Sequence, residues 1–347
     1  MKANLIKAYG PWRETMQMAE LDRPSVAPDE VLIEVHAVTA NRTRDTLIAE
    51  GKPHNPDALP LVTGQDPAGE VVEIGTDVTN VKVGDRVVVS GRMACGKCKL
   101  CQAGRMGDCR NATSVGIHRW GGYAEFCAVP QQTVFPVPDN ISFAEAAVIM
   151  RHCPTALQLL DDKGQLQPGE WVLVMGAGGG LGGPGIQLAK LMGANVIAAA
   201  GADERVQLGL DLGADYGVNY RTHDLTEEVK RITDGRGVDV VYENISDPTT
   251  WPKALASLAY AGRLVTAGAH GGPEVTLNVR NLYLNRWQIK GAAGGTPQNV
   301  EKSLEFAKTG KITCAIDHVM PLEELHDAYD MIEGGKVSGK VVIDPSL

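Results

Sequence analysis

From about Ala27 to Cys127, short apolar runs are broken by Gly, Pro and Asp. The runs Val31 to Val38, Gly69 to Ile74, Asp85 to Ser90 and Gly122 to Val129 have strand length, and their punctuation predicts an all-β, barrel-like unit. Further along the rhythm changes. Apolar stretches at Trp171 to Met175, Asn195 to Ala200, Tyr216 to Asn219, Val238 to Tyr242, Arg263 to Thr266 and Trp287 to Lys290 are separated mostly by helix-length segments, the pattern of a parallel, doubly wound sheet. Between the two regions stands Ser142-Phe-Ala-Glu145, in which hydroxyl and carboxylate can satisfy each other's free backbone amides, so a connecting helix is predicted to start there and end near Leu160. After Gly295 the pattern predicts a helix over Asn299 to Thr309, a strand near His318, a helix from Leu322 to Glu333 and a last strand, Lys340 to Ile343. The expected organisation is α/β. A β-rich domain over 1–152, to which 294–347 returns, encloses a doubly wound domain over 153–293.

A chain of 347 residues is long enough for two such cores. The 40 glycines exceed average usage and call for tight turns and close backbone contacts. A net charge of -9, without any long Lys/Arg run, argues against nucleic acid as a partner. No stretch approaches the ~18 apolar residues of a membrane span, and Met1 to Pro11 lacks a signal-type apolar run, so a cytoplasmic protein acting on a small molecule is expected.

Four of the seven cysteines crowd into Cys95-Gly-Lys-Cys98-Lys-Leu-Cys101 and, after seven intervening residues, Cys109. Four thiolates in one glycine-bearing excursion suit a tetrahedral zinc ion, one per chain, better than a disulfide framework. With its shell filled by sulfur, such an ion holds a loop and takes no part in chemistry. Free thiols and an iron–sulfur cluster are the alternatives to this assignment.

The strand Trp171 to Met175 runs into Gly176-Ala-Gly-Gly-Gly-Leu-Gly-Gly-Pro-Gly185 and then into a helical segment. Gly176, Gly178, Gly179, Gly180, Leu181 and Gly182 are therefore candidates to hold a dinucleotide pyrophosphate on backbone amides. The second strand ends in Ala199-Ala-Gly201 with no acid at its tip to accept from a ribose hydroxyl, and Arg205 and Tyr220 could reach a 2'-phosphate. NADP(H) is thus expected over NAD(H), the competing view being that both are plain surface residues.

With Gly64-Gln65-Asp66, Gly84-Asp85-Arg86, Gly121-Gly-Tyr-Ala-Glu125 and Gly213-Ala-Asp-Tyr216 added to the cysteine loop and glycine turn, nearly the whole chain resembles the zinc-containing medium-chain dehydrogenases/reductases of the alcohol dehydrogenase and quinone oxidoreductase type. The resemblance implies a GroES-like domain around a Rossmann domain. It also implies three positions for the ligands of a second, catalytic zinc, and here they carry Asn41 or Arg42, Gln65 and Arg151. An amide binds zinc weakly, and a guanidinium brings its own positive charge. A displaced zinc on Cys153 with His152 or Asp66 is the alternative. Without that Lewis acid the reductive direction is favoured, because hydride addition to a quinone or enone needs only stabilisation of an oxyanion. Zinc-free relatives reduce such acceptors with NADPH, and Asn41 and Asp45 match their Asn-x-x-Asp segment with one extra residue between.

On this reading Arg42, Arg151 and His152 border the nicotinamide and donate to the oxyanion, or anchor an acidic group of the substrate; alternatively the arginines pair with Asp45 or Asp66. His118 and Tyr123 are further acid candidates. Thr155, Gly268, Ala269 and the Gly339-Lys340 pair resemble cofactor contacts, and loops Pro53 to Leu61 and His118 to Trp120 would line the substrate. The edge strand Trp287 to Lys290 pairs with its twin in relatives, implying a homodimer or dimer of dimers. A secondary-alcohol dehydrogenase or ketone reductase and a non-catalytic NADPH-binding protein are the rival functions.

Overall fold

The computed structural model describes every residue except His54 and Ser338. It contains two compact units, Met1–Arg151 with Val300–Leu347, and His152–Asn299.

In the first unit the ten-residue strand Glu30–Thr39 is the hub. It pairs antiparallel with Ala68–Ile74, with Phe126–Pro130 and, at its far end, with the C-terminal strand Lys340–Asp344. Val31, Ile33 and Val35 meet Val71, Val87, Val89, Cys127 and Val129 in a core of β-branched side chains, which suit a pleated, buried face. The last 48 residues of the chain belong here because Val342 and Ile343 register against Thr39 and Val38. One expected strand is shorter than its apolar run. Pairing begins at Phe126 rather than Gly122, since the amides of Gly121, Gly122 and Tyr123 are taken by the carbonyls of Val62, Gly64 and Thr63. A Cβ on Gly121 would lie 2.2 Å from the Gly64 oxygen, so both glycine motifs exist to let these two backbones touch.

The second unit is a six-stranded, all-parallel sheet in the order Tyr216–Asn219, Asn195–Ala200, Trp171–Met175, Val238–Glu243, Leu258–Thr266, Gln288–Gly291. The order reverses beside Trp171–Met175, the switch point where open α/β sheets bind ligands. Central strands are buried on both faces, which is why they read as unbroken apolar runs. The fifth strand starts five residues before the expected Arg263, through an irregular stretch with Ala261 at φ 60°.

The reciprocal cap at Ser142 forms as expected: its amide donates to Glu145 Oε2 at 2.8 Å, and the Glu145 amide donates to Ser142 Oγ at 3.2 Å. The helix Phe143–Leu157 then widens into a π-helical turn, Gln158–Lys163, which the apolar spacing did not foretell. Among the described residues no helix is long and apolar enough to cross a membrane.

Candidate functional site

The four sulfurs of Cys95, Cys98, Cys101 and Cys109 all lie within 4.8 Å of one another. Cys98–Cys101 and Cys95–Cys109 are 3.5 Å apart and Cys98–Cys109 3.9 Å. A tetrahedron with Zn–S bonds of about 2.3 Å has edges of about 3.8 Å, so the cage has the size of a zinc shell. Backbone amides of Lys97 and Cys98 pull the Cys95 thiol down to about 6, whereas burial and the neighbouring sulfurs push Cys101 up to about 12. Four thiolates therefore need a divalent cation among them. The Arg92 guanidinium, donating to the Cys109 carbonyl at 2.8 Å, ties the loop to the sheet edge. Among the described residues no other group of three or more His, Cys, Asp or Glu side chains converges in this way.

In the second unit the strand Trp171–Met175 delivers the chain into the glycine turn, and the helix Gly182–Leu191 leaves it. A Cβ on Gly182 would sit 2.1 Å from the Gly176 oxygen, and one on Gly178 would sit 2.9 Å from Arg205 Cβ. The turn is thus a bare backbone surface opening a helix, the arrangement that receives a pyrophosphate. Its underside is polar and buried. Asn244 Nδ2 donates to the Met175 carbonyl at 2.7 Å, and Ser246 Oγ donates to the Gly268 carbonyl at 2.7 Å. Glu243, fully buried and raised by that burial, accepts the amides of Ile245 and Ser246 at 3.0 and 2.9 Å. Beyond the acid-free end of Asn195–Ala200, the Tyr220 ring and Arg221 Nε flank Gly201, each 3.1 Å from where its Cβ would be. The nearby carboxylate of Asp203 is occupied by Asn219 Nδ2 at 2.7 Å.

In the first unit polar side chains from six segments form two bonded groups. Asp45 Oδ2 accepts from Tyr123 at 2.6 Å, from Tyr329 at 2.9 Å and from the Asn41 amide at 3.0 Å. Burial raises the Asp45 carboxyl while the two phenols oppose it, and burial together with the Asp45 charge keeps both tyrosines protonated. Arg151 Nη1 donates to Gln65 Oε1 at 3.0 Å and lies 3.6 Å from Asp66 Oδ2. Burial lifts Asp66 to about 6 against the pull of Arg151. Lys340 Nζ donates to Asn41 Oδ1 at 3.1 Å, and burial, aided by Arg151, lowers it to about 8.

Residues 27–139 match the Alcohol dehydrogenase GroES-like domain and residues 180–309 the Zinc-binding dehydrogenase family. An alcohol dehydrogenase of Geobacillus stearothermophilus is 33% identical over 99% of both chains. The Quinone oxidoreductase-like protein 2 of Bos taurus is 32% identical over 94% of this chain and 90% of its own. The crystal structure of an NAD-dependent alcohol dehydrogenase, 35% identical over 99% of both chains, superposes with a TM-score of 0.93. The chain is a medium-chain dehydrogenase/reductase. Its α/β fold, a GroES-like domain plus a Rossmann sheet, is the one expected, and it is an oxidoreductase with a cysteine cage that fits structural zinc.

Several expected site residues of this dehydrogenase/reductase lie together and others do not. In the first unit Asn41, Asp45 and Lys340 are joined by hydrogen bonds, and Arg151 is held by Gln65 with Asp66 at ion-pair distance. Arg42 points elsewhere, its Nη2 held by Glu333 at 2.5 Å rather than by Asp45 or Asp66. His152 and Cys153 are buried and belong to the second unit, as do Thr155, Gly268 and Ala269. His118 is exposed and takes the Ser114 amide on Nδ1 at 3.0 Å. In the segment Pro53 to Leu61, His54 lies outside the described residues. Sequence reasoning missed Tyr329, Glu243, Asn244, Ser246 and Arg221. The polar Glu243-Asn244 ending an apolar strand was the one visible signal among them.

Proposed function

We propose that this dehydrogenase/reductase transfers a hydride from NADPH to a quinone or α,β-unsaturated carbonyl compound without a catalytic zinc. The observation that carries the reading is Arg151. Its guanidinium stands where the family resemblance puts a zinc ligand, hydrogen-bonded to Gln65 and 3.6 Å from the Asp66 carboxylate. When bound, the dihydronicotinamide supplies the hydride. Arg151, oriented by those two partners, keeps further N–H groups to donate to the oxygen that gains charge as the hydride adds, the task a metal performs in an alcohol dehydrogenase. Asp45 fixes Asn41, and Asn41 in turn holds the Lys340 ammonium. Arg205, Tyr220 and Arg221 at the acid-free strand end support a 2'-phosphate and hence NADPH.

The same reading includes a cytoplasmic homodimer or dimer of dimers. The edge strand Gln288–Gly291 is bonded on one side only, and Val279, Tyr283, Leu284 and Ile289 near it are exposed by 62%, 56%, 54% and 38%.

One preparation tests the proposal: zinc per chain by elemental analysis, and NADPH oxidation with benzoquinone, cyclohexenone and simple ketones. One zinc with quinone or enone reduction supports it. Two zinc ions with secondary-alcohol oxidation would replace it by the activity that the alcohol dehydrogenase relatives are named for. Tight NADPH binding without turnover would make the protein a non-catalytic binder.

A further inference from the structure

The carboxylate of Glu243 is fully buried at the end of the strand Val238–Glu243 and is committed to its own chain. Its Oε1 accepts the amides of Ile245 and Ser246 at 3.0 and 2.9 Å, and its Oε2 accepts the Ser246 amide at 3.1 Å and the Thr266 hydroxyl at 3.4 Å. Two successive amides turned onto one point make a concavity of the kind that receives an anion, and here the chain fills it from inside. Ser246 takes a left-handed backbone in doing so, with φ at 56°, a conformation that serine keeps only where its surroundings hold it.

The segment held in this way touches two other loops. On one side Asn244 Nδ2 donates to the Met175 carbonyl at 2.7 Å, and a Cβ on Gly176 would sit 2.8 Å from Asn244 Oδ1, so the start of the glycine turn rests on it. On the other side Ser246 Oγ donates to the Gly268 carbonyl and the Gly271 amide donates to the Ile245 carbonyl, both at 2.7 Å. A Cβ on Gly268 would lie 2.1 Å from the Asn244 carbonyl oxygen, so the path from Gly268 to Gly271 is moulded on residues 244–246. The groups expected to hold the 2'-phosphate hang on another part of the sheet. Asn195–Ala200 and Tyr216–Asn219, which carry Arg205, Tyr220 and Arg221 beyond their ends, lie on one side of Trp171–Met175, and Val238–Glu243 and Leu258–Thr266 lie on the other.

We propose that Glu243 is a positioning residue for the nicotinamide half of the cofactor: by clamping the amides of Ile245 and Ser246 it fixes the loop Gly268 to Gly271 against the glycine turn. The proposal deepens the NADPH reading and rests on it for the loop that the nicotinamide meets. Glu243 does not itself reach the cofactor, because both of its oxygens are taken by the chain. Its effect passes through the loop, and the sheet order keeps that effect away from the adenosine half.

The test uses the zinc-loaded full-length protein and ligands that differ only by the nicotinamide: NADPH with 2'-phospho-ADP-ribose, and NADH with ADP-ribose as the pair without the 2'-phosphate. Calorimetry gives the ratio of affinities within each pair, which is the share owed to the nicotinamide, and the fluorescence of bound dihydronicotinamide reports how firmly the ring is held. Glu243→Ala leaves two buried amides without their acceptor and is expected to lower the ratio about tenfold, with a matching loss of emission, while 2'-phospho-ADP-ribose binds within about twofold of wild type. Glu243→Gln, whose Oε1 can still accept both amides, restores most of the ratio. Ser246→Ala removes only the bond to Gly268 and lowers the ratio by less, and it decides the matter if Glu243→Ala does not fold. A ratio that Glu243→Ala and Ser246→Ala leave intact, or equal losses for both ligands of a pair, overturns the positioning role. Wild type that binds only the NADH pair sinks the NADPH preference and leaves Glu243 to be judged on that ratio. Wild type that gains nothing from the nicotinamide in either pair sinks the hydride-transfer reading, and the role of Glu243 with it.

Discussion

Asp66 offers a sharp test of which force wins in the interior of the first unit. Its side chain is 6% exposed, its Oδ2 lacks a hydrogen bond among the described residues, and Arg151 stands 3.6 Å away. Desolvation raises the carboxyl from 3.8 to about 6, so the charged form is penalised more than Arg151 repays. A group raised on folding contributes stability below its unfolded value and loses it as pH climbs through the folded one. The lift corresponds to about 3 kcal/mol at neutral pH, of which about 1.5 kcal/mol develops between pH 5 and pH 8. Asp66→Asn keeps the shape and removes the titration. Denaturant unfolding of wild type and variant across that interval is therefore expected to show the variant gaining about 1.5 kcal/mol relative to wild type as pH rises, over any constant offset. A difference that is flat with pH, or one in which wild type gains instead, would show that Arg151 outweighs burial and refute the reasoning.

Four further outcomes are expected. Arg151→Ala cuts turnover by about 100-fold or more while the NADPH dissociation constant, read by fluorescence, stays put, as suits loss of an oxyanion donor. Arg221→Ala weakens NADPH by about tenfold and leaves NADH untouched, as loss of one phosphate contact should. Stripping zinc with a strong chelator lowers the melting temperature and opens the segment from Cys95 to Cys109 to proteolysis, and added zinc reverses both. Tyr329→Phe removes one of three donors to the buried Asp45 and costs about 1–3 kcal/mol in denaturant unfolding, whereas Arg13→Ala, which breaks an exposed pair with Asp330, costs under about 1 kcal/mol.

What could be read without coordinates was local. The strands Trp171–Met175 and Asn195–Ala200 coincide with their apolar runs, because a strand buried on both faces declares itself residue by residue. The cap at Ser142, the sulfur cage within fifteen residues and the glycine turn are equally short-range, each a spacing that suffices for its own chemistry. Tertiary structure alone decided the rest. Nothing near Asp45 in the chain announces Tyr123 and Tyr329, which lie 78 and 284 residues away. Arg42 and Arg44 look alike in the sequence, yet a helix separates neighbouring side chains by about 100° per residue, so Arg42 finds Glu333 and Arg44 does not. Periodicity encodes which face of an element is buried. Which charges meet there depends on segments hundreds of residues apart being folded against one another, and that information resides in the packing.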